Sequence, residues 1–317
     1  MKRATGATHM EARHEKYHRL IEFCRALPPM PTAVAHPCDR SALEGAVEAA
    51  KAGLIEPLLV GPAARIREVA STCGIDIARF PLIDAPHSEA AAAQAVHAVR
   101  AGQAEALMKG SLHTDELMSA VLSRESGLRT ARRVSHCFVM DVPGHPNALI
   151  LTDAAVNIAP TLMEKVDILQ NAIDLAHALH IDEVRVAILS AMETVNPKVP
   201  STIEAAALCK MVDRRQITGA LVDGPLALDN AIDPEAARIK QIESPVAGRA
   251  NVLLLPDLEA GNMLAKSLSF LAGADAAGIV LGARVPIILT SRADTVTTRL
   301  ASCAVAALVA AARRNLV

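Results

Sequence analysis

The sequence of 317 residues predicts an α/β protein whose parallel-rich sheets are flanked by helices. Short runs of Val, Ile and Leu alternate with longer amphipathic stretches, which is typical of buried parallel strands joined by helices. Aromatic residues make up only 2% of the chain, which disfavours a sandwich anchored by aromatic side chains. Hydrophobic residues make up 51% and charged residues 21%, so the chain has material for a substantial core and is not largely disordered.

The short apolar runs are the predicted strands, because they have strand length and end at turn residues. They lie at residues 58–60, 106–108, 134–140, 148–151, 184–189, 219–222, 252–255, 278–281 and 286–289. The amphipathic stretches between them are the predicted helices. They lie at residues 41–52, 89–101, 115–124, 162–180, 202–214, 258–271 and 295–312. Two prolines and a glycine interrupt the pattern at residues 141–146, which predicts two lobes with a cleft between them.

Charge and composition exclude several partners. The chain has 32 Lys and Arg against 34 Asp and Glu, and it has few aromatic faces on which bases stack, so we expect no nucleic-acid partner. No uncharged apolar run reaches the ~18 residues of a membrane span, and no apolar stretch follows the charged N-terminus, so we expect neither a membrane association nor a secretory signal. The six cysteines form no CxxC pair, which indicates reduced thiols in a cytoplasmic protein.

Several catalytic motifs are absent or unconvincing. His14 to His18 matches the zinc-protease pattern HExxH, but we interpret it as a coincidence on a solvated helix face and predict no metal. The chain has no GxGxxG, no phosphate-loop lysine and no GxSxG elbow. These absences disfavour a Rossmann dinucleotide site, nucleotide hydrolysis and serine hydrolase chemistry.

The most informative polar segment is Thr290 to Thr295, between a predicted strand and the last helix. A helix N-terminus offers backbone N–H groups and partial positive charge, and Ser291 and Arg292 add a hydroxyl and a bidentate donor. We therefore predict an anion site here. Asp294 is either the N-cap of the helix or a carboxylate that serves as acid or base beside the bound anion.

A second polar segment, Lys109 to Asp115, also lies between a predicted strand and a predicted helix. Lys109, Gly110, Ser111 and Thr114 are candidate anion ligands, because open α/β sheets bind ligands at the carboxyl ends of their strands. The alternative is a plain capping turn with Thr114 or Asp115 as the cap. Among the three arginines before the next strand, Arg129 is the candidate anion ligand.

These residues occur in segments that resemble phosphate acetyltransferases and phosphate butyryltransferases. The resemblance extends from about residue 30 onward and looks closer to the butyryl branch. The similar segments are residues 107–110, 127–130, 151–160, 195–198, 222–230, 244–248, 259–262 and 289–294.

The resemblance implies reversible transfer of a short acyl group between coenzyme A and inorganic phosphate. It also implies a two-lobed fold like that of isocitrate and isopropylmalate dehydrogenases, with the site in the cleft, and a homodimer. In that family the first lobe contains both ends of the chain, which places the lobes at 1–140 plus 288–317 and at 141–287. The serine–arginine pair of the family motif matches Ser291 and Arg292.

Two positions depart from the acetyl branch of the family. Thr298 stands where a catalytic aspartate is proposed in that branch, and Met118 stands where its members tend to carry an arginine. The base role would then pass to Asp294, to another carboxylate or to no residue. An apolar residue at position 118 would suit a longer acyl chain.

The predicted chemistry uses the groups at the last helix. A thiol has a pKa of roughly 8.5, so coenzyme A needs a base or a cationic environment to react near pH 7. We expect Asp294 to accept or orient that proton, Arg292 and the helix N-terminus to hold phosphate, and Ser291 to hydrogen-bond the acyl carbonyl or a phosphate oxygen. The coenzyme A thioester is then a substrate, and no cofactor is bound tightly.

Two other functions stay open at this point. One is a dehydrogenase on the same fold, with a metal held by the strand-end carboxylates Asp153, Asp223 and Asp257. The other is a regulatory module that binds acyl-CoA or acyl phosphate without turning it over. Acyl chain preference and physiological direction are left undecided by the residues.

Overall fold

A computed structural model describes residues 15–290 and 294–315, with only the backbone of Glu15. The strands, in chain order, are β1 (Met30–Ala35), β2 (Ile55–Gly61), β3 (Leu82–Asp84), β4 (Ala106–Lys109), β5 (Ser135–Asp141), β6 (Leu149–Thr152), β7 (Arg185–Leu189), β8 (Leu221–Leu226), β9 (Val252–Leu254), β10 (Asp275–Leu281) and β11 (Ile287–Ile288).

The helices fill the longer intervals between the strands. They are α1 (Glu15–Cys24), α2 (Arg40–Lys51), α3 (Ala63–Cys73), α4 (Ser88–Arg100), α5 (Thr114–Leu122), α6 (Leu162–Ala178), α7 (Pro200–Asp213), α8 (Leu228–Ile232), α9 (Pro234–Ile239), α10 (Leu258–Leu271) and α11 (Val296–Arg313). The predicted α/β class is confirmed.

The chain divides into two compact units. Unit 1 comprises Met1–Arg132 and Ala277–Val317, and unit 2 comprises Arg133–Ala276. The sequence predicted that the chain passes from the first lobe to the second between residues 140 and 141. In the structure β5 belongs to unit 2, because it pairs with β6 in antiparallel register (Phe138 opposite Leu151). The proline-rich segment that was expected to separate the lobes is the connection between these two strands.

The sheet of unit 1 has the strand order β3-β2-β1-β4-β11-β10. All of these strands run parallel except β10, which is antiparallel to β11. The strand ends Ala35, Lys109 and Ile288 therefore lie at one edge, which we call the carboxyl edge of unit 1. This edge is where an open parallel sheet binds its ligands.

Helix α11 is a buried helix of unit 1. It consists largely of buried alanine and valine, which allow close packing, and it contacts α1 and α2. The Cys24 thiol of α1 donates to the Ala304 carbonyl at 3.4 Å. By length and composition α11 could cross a membrane, but 72% of it is buried inside the protein. Burial of this extent is that of a core helix.

The sheet of unit 2 has the order β5-β6-β9-β7-β8, with only the β5–β6 pair antiparallel. Alternate residues of its strands, such as Leu151, Ala187 and Leu253, form a core under the helices. Strands β1 and β3 and helices α3, α8 and α9 had no counterpart among the predicted elements.

Candidate active site

The loop after β4 carries the second predicted anion-binding segment. The Lys109 side chain is only 8% exposed. The Gly110 N–H donates to the Ala35 carbonyl at 2.9 Å. A Cβ at position 110 would lie 2.3 Å from the Ala35 oxygen and 2.5 Å from the His36 oxygen. Only glycine lets this loop pack so closely against the end of β1.

Ser111 joins this loop to the residues that follow β1. Its Oγ donates to the His36 carbonyl oxygen at 2.7 Å and accepts from the Cys38 N–H at 3.1 Å. The His36 Nδ1 lies 3.1 Å from the same Oγ. Sequence reasoning missed His36, because β1 was not recognised. The available signal was a His-Pro-Cys-Asp segment directly after Ala33 to Ala35.

Helix α5 begins at Thr114, but neither Thr114 nor Asp115 caps it. Glu116 accepts from the His113 N–H at 2.8 Å and from Ser88 Oγ at 2.7 Å. These two hydrogen bonds lower the pKa of the Glu116 carboxyl, with the Ser88 bond contributing more. The start of α5 thus carries carboxylates of its own, which reduces its attraction for an anion.

Helix α11 begins differently. Its N-cap is Thr295, whose Oγ1 accepts from the Thr298 N–H at 3.1 Å, so Asp294 is not the cap. The first turn contains no acidic residue. Arg299, 4% exposed, donates from Nε to the Asp294 carbonyl at 3.3 Å and from Nη1 to the Ser41 carbonyl at 3.1 Å. Its charge adds to the positive end of the helix dipole, which favours an anion at this helix start.

Sequence reasoning missed Arg299, although an arginine inside an alanine-rich apolar helix was a visible signal. Ser291 and Arg292, which were predicted to bind the anion, lie outside the described residues. Thr298, at the position of the acetyl-branch aspartate, is buried and accepts a hydrogen bond from the Thr295 hydroxyl at 3.0 Å.

The two loops leave the sheet side by side. Strands β4 and β11 are parallel neighbours, with Met108 opposite Ile288, and neighbouring strands lie about 4.8 Å apart. Lys109, Gly110 and Ser111 therefore share the carboxyl edge with Leu289 and Thr290, which follow β11.

The structure does not bring the main chain of Arg129 to this edge. Arg129 forms an antiparallel bridge with Ala283, and the Thr130 hydroxyl donates to the Gly282 carbonyl at 2.6 Å. Ala283 follows β10, which runs opposite to β11, so Arg129 lies where β4 and β11 begin. The four residues of β4 span on the order of 10 Å between the two edges.

Met118 lies in the core of unit 1. It is 8% exposed and belongs to the buried face of α5 with Leu117 and Val121. Its apolar character is explained by this packing, so it gives no information about the length of the acyl chain.

In unit 2, the carboxylates considered for a metal have structural partners. Asp153 is buried and accepts from the N–H groups of His136, Ala155 and Val156 and from Asn157 Nδ2, at 2.6–3.0 Å. Among the residues that the structure describes, no three His, Cys, Asp or Glu side chains come together as a metal site.

The remaining two carboxylates also bind backbone groups. Asp257 caps α10 by accepting from the Ala260 N–H at 2.8 Å, and Asp223 accepts from the Gly224 N–H at 2.8 Å. These contacts are those of helix caps and turns.

The buried His136 makes the stability of the protein depend on pH. Burial lowers the pKa of this imidazole, against an opposing effect of Asp153, and Nδ1 has no hydrogen-bond partner. As the pH falls through about 6.5, His136 binds a proton in the unfolded chain but stays neutral in the folded chain. The free energy of unfolding is therefore not reduced by His136 above about pH 6.5. Below that pH it decreases by at most about 1.4 kcal/mol per pH unit.

We expect the His136→Phe variant to lose less stability than the wild type between pH 7 and pH 5. Urea unfolding at several pH values measures how steeply the free energy of unfolding changes with pH in each protein. Equal slopes would show that another group carries the pH dependence.

None of the cysteines offers a ready nucleophile beside these loops. All six cysteines are free, and the one next to Ser111, Cys38, is buried. Burial raises the pKa of the Cys38 thiol to about 11, so it is protonated and unreactive near neutral pH.

The fold is that of the phosphotransacylases. The chain is similar to a branched-chain phosphotransacylase from Enterococcus faecalis, with a TM-score of 0.76 and 29% identity over 89% of this chain and 99% of that one. The fold alone is shared with a 4-hydroxythreonine-4-phosphate dehydrogenase from Klebsiella pneumoniae (TM-score 0.54, 12% identity, 90% and 98% covered). The predicted likeness to dehydrogenases is thus a likeness of fold.

The chain belongs to the phosphate acetyl/butaryl transferase family, whose model matches residues 87–307. It is 65% identical to a phosphate acetyltransferase of Rhizobium meliloti over 96% of each chain. It is 40% identical to a phosphate butyryltransferase of Clostridium acetobutylicum, over 93% of this chain and 98% of the relative. The predicted family is confirmed, whereas the expected closeness to the butyryl branch is wrong for these two relatives.

Proposed function

We propose that this protein is a phosphate acetyltransferase that reversibly transfers the acetyl group of acetyl-CoA to inorganic phosphate. The observation that carries the proposal is the parallel pairing of β4 with β11, which brings the Lys109–Ser111 loop next to Leu289 and Thr290 at the carboxyl edge of unit 1. Family membership supports acyl transfer to phosphate. The higher identity to an acetyltransferase than to a butyryltransferase supports acetyl as the acyl group.

Phosphate binds at the start of α11 in this proposal. The helix dipole and the charge of Arg299 make this helix start attractive to a dianion. Arg292 holds two phosphate oxygens at once, and the ammonium of Lys109 approaches from the neighbouring strand end. Thr114 contributes its hydroxyl, whereas Ser111 Oγ donates to the His36 carbonyl and holds the loop in place.

The reaction needs a phosphate oxygen to attack the carbonyl carbon of the thioester. The new C–O bond forms as the C–S bond breaks, and sulfur leaves with the electron pair. Ser291 donates a hydrogen bond to the carbonyl oxygen as negative charge develops there, a contribution of a few kcal/mol in comparable sites. Asp294 orients the thiol end of coenzyme A. Cys38 is held as a thiol, which favours direct transfer over an acyl-cysteine intermediate.

The substrates are acetyl-CoA and inorganic phosphate, and we propose no tightly bound cofactor. Cytoplasmic localisation is supported by six free cysteines, four of which are buried.

The proposed homodimer uses the outer face of α10. Phe270 and Leu271 are 81% and 87% exposed, and Met263, two helical turns earlier, lies on the same face. An exposed apolar face of this kind marks an interaction surface. We expect a dimer in solution that Phe270→Glu converts to a monomer, as measured by light scattering after gel filtration.

The matched control for the dimer is Phe23→Glu, which changes a half-exposed phenylalanine of unit 1 and should leave the mass unchanged. A monomeric wild type, or a dimeric Phe270→Glu variant, would contradict this interface.

The proposed function is tested by following free thiol release from acetyl-CoA with and without phosphate. Release that depends on phosphate, together with formation of acetyl phosphate, supports the transferase. Hydride transfer to a nicotinamide would support a dehydrogenase instead. Tight binding of acetyl-CoA without turnover would support a regulatory module, and either of these results rejects the proposal. Butyryl-CoA in the same assay tests the acyl preference, with acetyl-CoA expected to have the higher kcat/KM.

A further inference from the structure

A histidine with a rare backbone conformation follows β1 at the carboxyl edge of unit 1. His36 has φ 54°, in the left-handed region that residues with a Cβ seldom adopt. Its N–H donates to the Val60 carbonyl at 2.7 Å, and its carbonyl accepts from the N–H groups of Ser111 and Cys38, both at 2.9 Å. Such strain persists only where the surroundings determine it, and it is concentrated at functional sites.

The hydrogen bonds of Ser111 decide which ring nitrogen of His36 carries the hydrogen. Ser111 Oγ gives its single hydrogen to the His36 carbonyl oxygen. With the Ser111 hydrogen on that oxygen, we assign the contact of 3.1 Å between Oγ and Nδ1 as a donation from Nδ1. The neutral ring thus carries its hydrogen on Nδ1 and a lone pair on Nε2, the form that accepts a proton.

Burial and a nearby guanidinium favour the neutral ring by lowering the pKa of His36. Burial lowers the pKa of His36 from 6.5, and the Arg65 guanidinium of α3 lowers it further. The carboxylates of Glu116, on α5, and Asp39, before α2, oppose these effects. These are the charged groups that act on the ring in the described part of the chain.

The position of His36 relates it to the proposed phosphate site. Ala35 is paired with Lys109 across β1 and β4, and the ring contacts Ser111 in the loop that follows β4, the strand next to β11. His36 is partly exposed to solvent.

We propose that His36 carries the proton of the acyl-transfer reaction, a role that rests on the proposed function. When acetyl phosphate and coenzyme A react, Nε2 takes the thiol hydrogen as sulfur bonds to the carbonyl carbon. The C–O bond to phosphate breaks, its electron pair leaves with the phosphate oxygen, and Nε2 returns the hydrogen to that oxygen. The products are acetyl-CoA and hydrogen phosphate, and the ring ends neutral.

The test uses His36→Asn, because asparagine tolerates the left-handed backbone and offers an amide donor to Ser111 but does not titrate. Rates are measured with acetyl phosphate and coenzyme A as substrates, since free phosphate itself ionises in the relevant pH range. We expect kcat to fall by about 10²–10³-fold, KM for both substrates to stay within about threefold, and the decrease in rate at low pH to disappear. In His36→Gly, which suits the positive φ, added imidazole should restore part of the rate.

Several results would overturn this role. An unimpaired kcat in His36→Asn, or a raised KM at unchanged kcat, would assign His36 to binding or to structure. A low-pH decrease that persists in His36→Asn but is absent from Asp294→Asn would assign the proton to Asp294. Lack of imidazole rescue in a folded His36→Gly variant would also count against it. A wild type without phosphate-dependent activity rejects the proposed function itself, whereas an active wild type beside an unimpaired variant rejects only the role of His36.

Discussion

Arg292→Ala is expected to lower kcat/KM for acetyl phosphate formation by at least about 10³-fold, or about 4 kcal/mol of transition-state stabilisation. A guanidinium binds two phosphate oxygens in parallel, and no other side chain replaces that geometry. The loss should appear in both kcat and KM for phosphate. Initial rates of thiol release at varied phosphate concentration measure both constants, and circular dichroism verifies that the variant is folded.

Two further variants make the Arg292 result specific. Arg292→Lys keeps the charge but not the fork, so an intermediate rate is expected. Arg129→Ala removes the guanidinium of a residue whose main chain lies at the opposite edge of the same sheet. The kcat/KM of this variant should stay within about threefold of the wild type. Wild-type turnover in Arg292→Ala, or equal losses in the two alanine variants, would refute the proposed phosphate site.

Gly110→Ala is the second change with a large expected effect. The new methyl group would lie 2.3 Å and 2.5 Å from two backbone carbonyl oxygens, which cannot withdraw as a flexible side chain would. The β4 loop must shift away from β1, and we expect a loss of about 3 kcal/mol in the free energy of unfolding. Activity should fall as well, because the shift of the loop breaks the hydrogen bonds between Ser111 and His36. Urea unfolding and acetyl phosphate synthesis measure the two effects.

Gly144→Ala is the matched control for this substitution. Gly144 has φ 80° and nothing within 4 Å of the position of an added Cβ, so only the backbone cost of about 1 kcal/mol is expected. If Gly110→Ala were as stable as Gly144→Ala and fully active, the close contact between the loops would be unimportant.

Strongly patterned elements were predicted well from the sequence. The last helix was expected at 295–312 and runs from Val296 to Arg313, and the strand expected at 106–108 is Ala106–Lys109. Each has an apolar pattern that its local sequence shows in full. Lys109 lies at the end of this strand and Asp294 lies just before this helix. Predicting the two elements therefore also identified these two candidate residues.

Elements whose stability comes from pairing were missed. β1 begins Met-Pro-Thr-Ala, and proline and alanine argue against a central strand. It nevertheless lies between β2 and β4, paired in parallel with both. Since β1 was not recognised, His36 at its end was not considered. β5 was identified as a strand and assigned to the first lobe, whereas the structure pairs it with β6 in unit 2.

The α/β class, the family and the two polar loops could be predicted from the sequence alone, because each depends on residues that are contiguous in the chain. The tertiary structure decided which loops become neighbours, which residues cap the two helices, and which histidine stands beside Ser111. These properties depend on strand order and on hydrogen bonds between residues such as His36 and Ser111, which are 75 positions apart. Local patterns contain no information about distances between such residues.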